Sequence, residues 1–397
     1  MKKLLVILFT VVVILAGTEY LLDLLKYETE IMFQYQPQFG WTHTPDKNFW
    51  YGGNSFKINE EGFRDKNHQP EKKAGIKRVG FISSHYLRGT NSDYENIATT
   101  IVEREWNNSY PDNQIEVFNL AVSKYNIELA NYLISYFEKK YQIDYFIYLF
   151  DPQKDPMAVA GASGYVHFAP SFVFDESGNI AEKKDFQPGS FVSPRYKTLK
   201  IYQLTRNIYY NFIRQESTDF SEASQEYMES LTPYPDIYFN TTSEETDAVI
   251  SKIARIIDYT VENHTSKVYY LFVPPQQTQF FGVFKEKGNL DEFLNNVEFS
   301  RFVETVQKTP VKEFLDRIIP FVKKAENNEF NHLSLPLKIK DLTINDDRII
   351  VLDREFLEFT NQAESGGFLH NWHRRDAGQR HLASILIGKI LPSVIKN

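Results

Sequence analysis

Arg78-Val79-Gly80-Phe81-Ile82-Ser83-Ser84-His85-Tyr86-Leu87-Arg88-Gly89 sets a short apolar run against an abrupt polar end. Val79, Phe81 and Ile82 suit a pleated surface buried on both sides, so residues 79–82 predict a strand. Where strands and helices alternate, ligands and reacting groups gather at the C-terminal ends of the strands. Here that place holds Ser83, Ser84 and His85, and a hydroxyl with an imidazole beside it is the first chemical reading.

Downstream, the pattern is that of an α/β chain. Asp93–Trp106 carries Ile97, Ile101 and Val102 at helical spacing, and 115–120 predicts a second strand. Ile127–Lys140 predicts a helix with Leu129, Leu133, Ile134 and Phe137 on one face. Residues 144–150, DYFIYLF, are almost continuously apolar, as a parallel strand covered on both faces requires. From Asp155 to about Asp247, glycines and prolines break the rhythm. We read an insertion above the sheet there, with one helix near Tyr196–Arg214. The rhythm returns with a helix at Thr246–Glu262 and a strand at Lys267–Val273, ended by Pro274-Pro275-Gln276-Gln277 near the expected site. Helical patterns fill Asp291–Ala325, Arg348–Asp353 predicts the last strand, and Ala377–Ile395 the last helix. Asp376, near the start of that helix, favours its dipole. The expected fold is a three-layer α/β/α domain with a central parallel sheet.

Upstream, Lys66–Lys77 reads as an exposed polar connector, and residues 29–77 as an ordered apron before a main domain at 78–397. Phe56-Lys57-Ile58-Asn59 alternates like a short edge strand. Trp41, Trp50 and Tyr51 are read as packed against the domain rather than stacked on sugars. Arg64 and Asp65 are read as ties from the apron to the sheet. At the N-terminus, Lys2 and Lys3 precede the apolar run Leu4–Ala16, and Glu19 is the first charge beyond it. Thirteen helical residues cover roughly 20 Å, short of a hydrocarbon core of ~30 Å, but Tyr20-Leu21-Leu22 and Leu24-Leu25 continue the apolar face. We expect residues 1–28 to be an uncleaved signal anchor, with a cleaved signal peptide as the alternative. The positive-inside rule then puts the main domain outside the cytoplasm, periplasmic or extracellular.

The 397 residues include no cysteine, which excludes disulfides, thiolate metal sites, a cysteine nucleophile and a lipidated N-terminal cysteine. A formal charge of −8 with no long basic block argues against a nucleic-acid partner.

The order of these features resembles the SGNH/GDSL hydrolase superfamily in its membrane-anchored bacterial form. The likeness is carried by Glu19-Tyr20-Leu21-Leu22, by Phe39-Gly40-Trp41 with Pro45, and by Ile58-Asn59-Glu60-Glu61-Gly62-Phe63-Arg64-Asp65, which is similar to that family's pre-strand motif. The five strands also fall in the family's order. The resemblance implies an SGNH-like, flavodoxin-like domain. Its nucleophile block falls on Ser83-Ser84-His85, its next glycine on Gly89 and its oxyanion glycine on Ala121. The family's asparagine falls near Gln153, beside Asp151, and its Asp-x-x-His block on His370-Asn371-Trp372-His373.

In that register the nucleophile position is His85 and the orienting acid is His370, so the usual relay is broken. His373 remains as a base, and Ser84 could serve as nucleophile only if the strand slipped by one residue, turning its side chain to the other face. His85, His370 and His373 together would suit zinc. A metal-free polar pocket is the preferred reading, and no cofactor is expected. The expected function is a non-catalytic or weakly catalytic relative that binds a glycan or a partner protein in envelope polysaccharide biology. The alternative is a carbohydrate O-acyl esterase or acyltransferase with a rearranged site.

Overall fold

Runs of apolar side chains alternating between two faces build the centre of the molecule. The computed structural model describes residues 2–27, 33–51, 54–84, 86–90, 92–151, 154–160, 171–175, 177–184, 199–209, 244–273, 334–352 and 376–395. In chain order these form α1 (Lys2–Leu24), β1 (Phe33–Gln36), β2 (Gly40–His43), β3 (Asn48–Tyr51), β4 (Asn54–Lys57), β5 (Lys77–Ile82), α2 (Ala98–Ser109), β6 (Ile115–Asn119), α3 (Ile127–Tyr141), β7 (Tyr145–Phe150) and α4 (Lys154–Ala160). They continue with β8 (Ser171–Phe174), β9 (Ile180–Lys184), α5 (Lys200–Ile208), α6 (Glu244–Glu262), β10 (Lys267–Phe272), α7 (Ser334–Leu342), β11 (Ile349–Val351) and α8 (Asp376–Ile385). A π-helical turn, Leu386–Ile390, joins α8 to α9 (Leu391–Ile395).

The main sheet is parallel, in the order β6-β5-β7-β10-β11. Its register pairs Val79 with Val117 and Tyr145, and Tyr270 with Tyr148 and Ile349. Ile82, Phe146, Tyr148, Phe150, Tyr270 and Phe272 face one layer, where Leu133 and Phe137 of α3 and Ile253 and Ile257 of α6 pack. Val79, Phe81, Ile147, Leu149 and Leu271 face the other, against Val102 and Trp106 of α2 and Leu382 and Leu386 near the C-terminus. Each such fully buried side chain is worth about 1.5–3 kcal/mol. The expected α/β/α layering and parallel sheet are thus present. Strand order reverses between β5 and β7, which makes the ends of those two strands the crevice of the sheet.

Gly80 lets the Phe146 ring lie against the middle of β5, since a Cβ there would come within 2.7 Å of that ring. The hairpin β8–β9, inside the expected insertion, packs on the helical layer: Phe172 N–H donates to Glu128 on α3, and Lys183 Nζ to Asn131.

The apron is built into the domain. β1 pairs antiparallel with β2, and β3 with β4. Phe39, Trp41 and Phe63 join the core, with Trp41 edge-on to Tyr125, so packing is the role of Trp41. Trp50 lies under Lys26 Nζ, and the side chain of Tyr51 falls outside the described residues. Strand β4 ends at Lys57, and Ile58-Asn59 turn out of it. Residues 66–77 are not simply an exposed connector. His68 is buried between Asp65 and Glu116, and Arg78 is buried where its guanidinium binds the carbonyls of Gln69, Pro70, Glu71 and Tyr141 and the Glu116 carboxylate.

Helix α1 runs on past the apolar stretch to Leu24. Its 23 residues make about 35 Å, and it is long and apolar enough to cross a membrane. The helix expected at Asp93 begins later: Tyr94–Asn96 form a 3₁₀ turn and Ile97 is extended before α2. The helix expected over 196–214 is described over Lys200–Ile208, and the expected helical segment 291–325 lies outside the described residues.

Candidate functional site

The crevice is framed by the loop after β5, the turn after β6 and the start of α4. Arg64, fully buried, fixes the first of these. Its Nη1 donates to the carbonyls of Arg88 (3.0 Å) and Gly89, and its Nη2 to those of Ser92 (2.6 Å) and Ser55 (3.0 Å). Burial first, and the neighbouring Arg88 charge second, bring its pKa down to about 9. Gly89 sits at φ +54°, where a side chain would also press on Ile97. From the opposite side, Gln379 of α8 donates to Tyr86 O at 2.8 Å and accepts from Ala98 N–H at 2.8 Å. Asp376, at the start of α8 as expected, accepts from Asn96 at 2.8 Å.

The two strand-end serines point into protein. Ser83 is 0 % exposed and Ser84 1 % exposed. Ser83 Oγ accepts from Leu87 N–H at 3.2 Å, and Ser84 Oγ accepts from Lys124 N–H at 3.2 Å. Lys124 needs that tie, because its φ of +73° puts a non-glycine residue in the left-handed region. The Ala121 N–H donates to Asn119 Oδ1 at 3.2 Å, closing a local turn.

At the end of β7 stands a pair of buried acids, Asp151 and Asp155. Asp155 Oδ1 accepts from Ile127 N–H (2.8 Å) and Tyr148 Oη (2.6 Å), and its Oδ2 from Asp151 N–H (2.7 Å). Together with Asn126, which accepts from Leu129 N–H at 2.9 Å, Asp155 caps α3 from a distant part of the chain. Complete burial, then the Asp151 charge, push the Asp155 carboxyl well above the usual carboxylate range, against the pull of its donors. Burial, then the charges of Asp151 and Asp155, likewise push up the Tyr86 hydroxyl.

Comparison with family models, curated proteins and solved structures finds no match to this chain.

Of the residues singled out in the sequence, Ser83, Ser84, Ala121 and Asp151 meet at this crevice. His85, Gln153, His370 and His373 lie outside the described residues, as does Pro274-Pro275-Gln276-Gln277. Among the described residues no group of three histidines or acids is placed to hold a metal. Sequence reasoning passed over Asp155, Tyr148 and Tyr86. The available signal was the i, i+4 spacing of Asp151 and Asp155 straight after a strand, which a helical turn brings together.

Proposed function

We propose that this chain is a membrane-anchored, extracytoplasmic relative of the SGNH hydrolases that binds a glycan or an envelope partner with little or no catalysis of its own. The observation that carries the proposal is the state of the strand-end hydroxyls. A serine nucleophile has to meet both its base and its substrate, whereas Ser83 and Ser84 are buried and hold the N–H groups of Leu87 and Lys124. The Ala121 N–H, which would serve an oxyanion, is likewise occupied by Asn119. The likeness to that superfamily draws support from the strand order, from Asn59–Asp65 clamping the strand ends, and from Gln379 on the loop after β5.

The test is an esterase assay of the full chain in detergent on p-nitrophenyl acetate and acetylated xylan, beside Ser84→Ala and His373→Ala. We expect turnover no greater than buffer, unchanged in both variants. Turnover abolished by both substitutions in folded protein would overturn the proposal in favour of an O-acyl esterase or acyltransferase.

A further inference from the structure

Helix α5 buries polar side chains and leaves apolar ones at its ends exposed. Lys200 and Gln203 are buried and Ile201, Tyr202 and Leu204 half-buried, whereas Ile208 is 43 % exposed and the flanking Leu199 and Tyr209 are exposed as well. A helix on a water-facing surface has the opposite pattern. What it packs on supplies the reason. Its N-terminus is fastened to α1: Lys200 N–H donates to Glu19 Oε1 at 2.8 Å, Ile201 N–H to Glu19 Oε2 at 2.9 Å, and Lys200 Nζ to Asp23 at 2.6 Å. Leu22, between those two acids, is the buried residue of α1.

We propose that α5 lies in the membrane–water boundary as a second lipid contact, docked on the outer end of α1; this rests on reading α1 as a membrane span. From Leu4 to Gly17, α1 offers about 21 Å of apolar helix, roughly 9 Å less than a hydrocarbon core. Counted to Leu24, the end of α1, the length is about 32 Å, which fits, provided Glu19 and Asp23 are tolerated near lipid. α5 partners both. It gives Glu19 two backbone N–H groups and Asp23 an ammonium, while the Asp23 side chain stays 67 % exposed, as a carboxylate at headgroup level would be. Apart from Asp23, the residues exposed at that level, Tyr20, Leu21, Leu24 and Leu25, are apolar or aromatic, as are Leu199 just before α5 and Ile208 at its end. Apolar side chains and tyrosine on a short helix at this depth match a boundary location.

The cysteine-free chain permits a direct test with single nitroxide labels on the full protein in phosphatidylcholine–phosphatidylglycerol liposomes. Labels at Leu199→Cys and Ile208→Cys are expected to collide with oxygen and to be shielded from an aqueous nickel complex. Glu19→Ala should shift the Ile208→Cys label toward water. A nickel-accessible label at Ile208→Cys would overturn the proposal, and shielding from both reagents would assign the face to a protein contact instead. Val12→Cys separates the two levels of inference. Deep oxygen exposure there with water at Ile208→Cys overturns only the α5 proposal, and water at Val12→Cys removes the membrane span with it.

Discussion

The Asp65 carboxylate accepts a hydrogen bond from the Asn119 backbone N–H at 2.7 Å, across 54 residues of sequence. Asn119 returns the contact, its Nδ2 donating to the carbonyls of Arg64 (3.3 Å) and Leu87 (3.1 Å). This clasp joins the apron, the end of β6 and the loop after β5. Asp65→Ala strips a partner from Asn119 N–H, Lys66 N–H, Tyr94 Oη and the His68 ring together. We expect a loss of about 3 kcal/mol, read from urea unfolding of the full chain in detergent.

His68 makes the clasp sensitive to pH. Burial by itself would lower its pKa; the Asp65 charge and hydrogen bond, with those of Glu116, override this and raise it from 6.5 to about 9. Burial raises Glu116, but the hydrogen bonds and charges of His68 and Arg78 outweigh it and bring the carboxyl from 4.5 to about 2. The His68 contribution is thus complete below pH 6.5 and fades as pH rises through about 9. That of Glu116 is complete above pH 4.5 and fades as pH falls through about 2. Urea midpoints of wild type and His68→Gln should differ by a constant amount below pH 6.5 and converge toward pH 9. A difference independent of pH across that window would refute the assignment.

Gly62 has φ +89°, and a Cβ on it would stand 2.3 Å from Thr42 Oγ1 and 2.7 Å from the His43 carbonyl. Backbone strain and overlap add, so Gly62→Ala should cost about 3 kcal/mol. Limited proteolysis should then cut first within residues 33–66, where the apron loosens.

Asp155→Ala removes the distant cap of α3 and leaves the N–H groups of Ile127 and Asp151 and the Tyr148 hydroxyl without that acceptor. A cost of about 3 kcal/mol is expected, against about 1 kcal/mol for Asp155→Asn, which keeps one acceptor oxygen. Amide exchange at Ile127 should speed up in Asp155→Ala; equal effects from the two variants would contradict the capping role.

The central strands were legible because parallel strands buried on both faces leave uninterrupted apolar runs. Tyr145–Phe150 and Lys267–Phe272 were found within a residue at each end. The hairpins at 33–43 and 171–184 were not, since strands this short follow their partners more than any periodicity. At the site, position was readable and role was not. Ser83 and Ser84 do stand at the end of β5, but burial and the choice of hydrogen-bond partner come from the packing of residues far along the chain. Asp155 was missed for the same reason: its importance lies in Ile127, 28 residues earlier. Arg64 and Asp65 were readable as ties because a buried guanidinium and carboxylate in a turn need many partners.

Lys26 at the end of α1 lies over the Trp50 ring at 4.8 Å, and β1 begins only seven residues later. Phe39, Trp41 and Phe63 are already core residues. Mechanically, then, the Lys26–Trp50 contact is a second tether between the end of α1 and the apron, beside the chain itself. A pull on α1 would travel through that tether into the β3–β4 hairpin, whose Ser55 carbonyl is held by Arg64, the neighbour of Asp65 in the clasp beside the crevice.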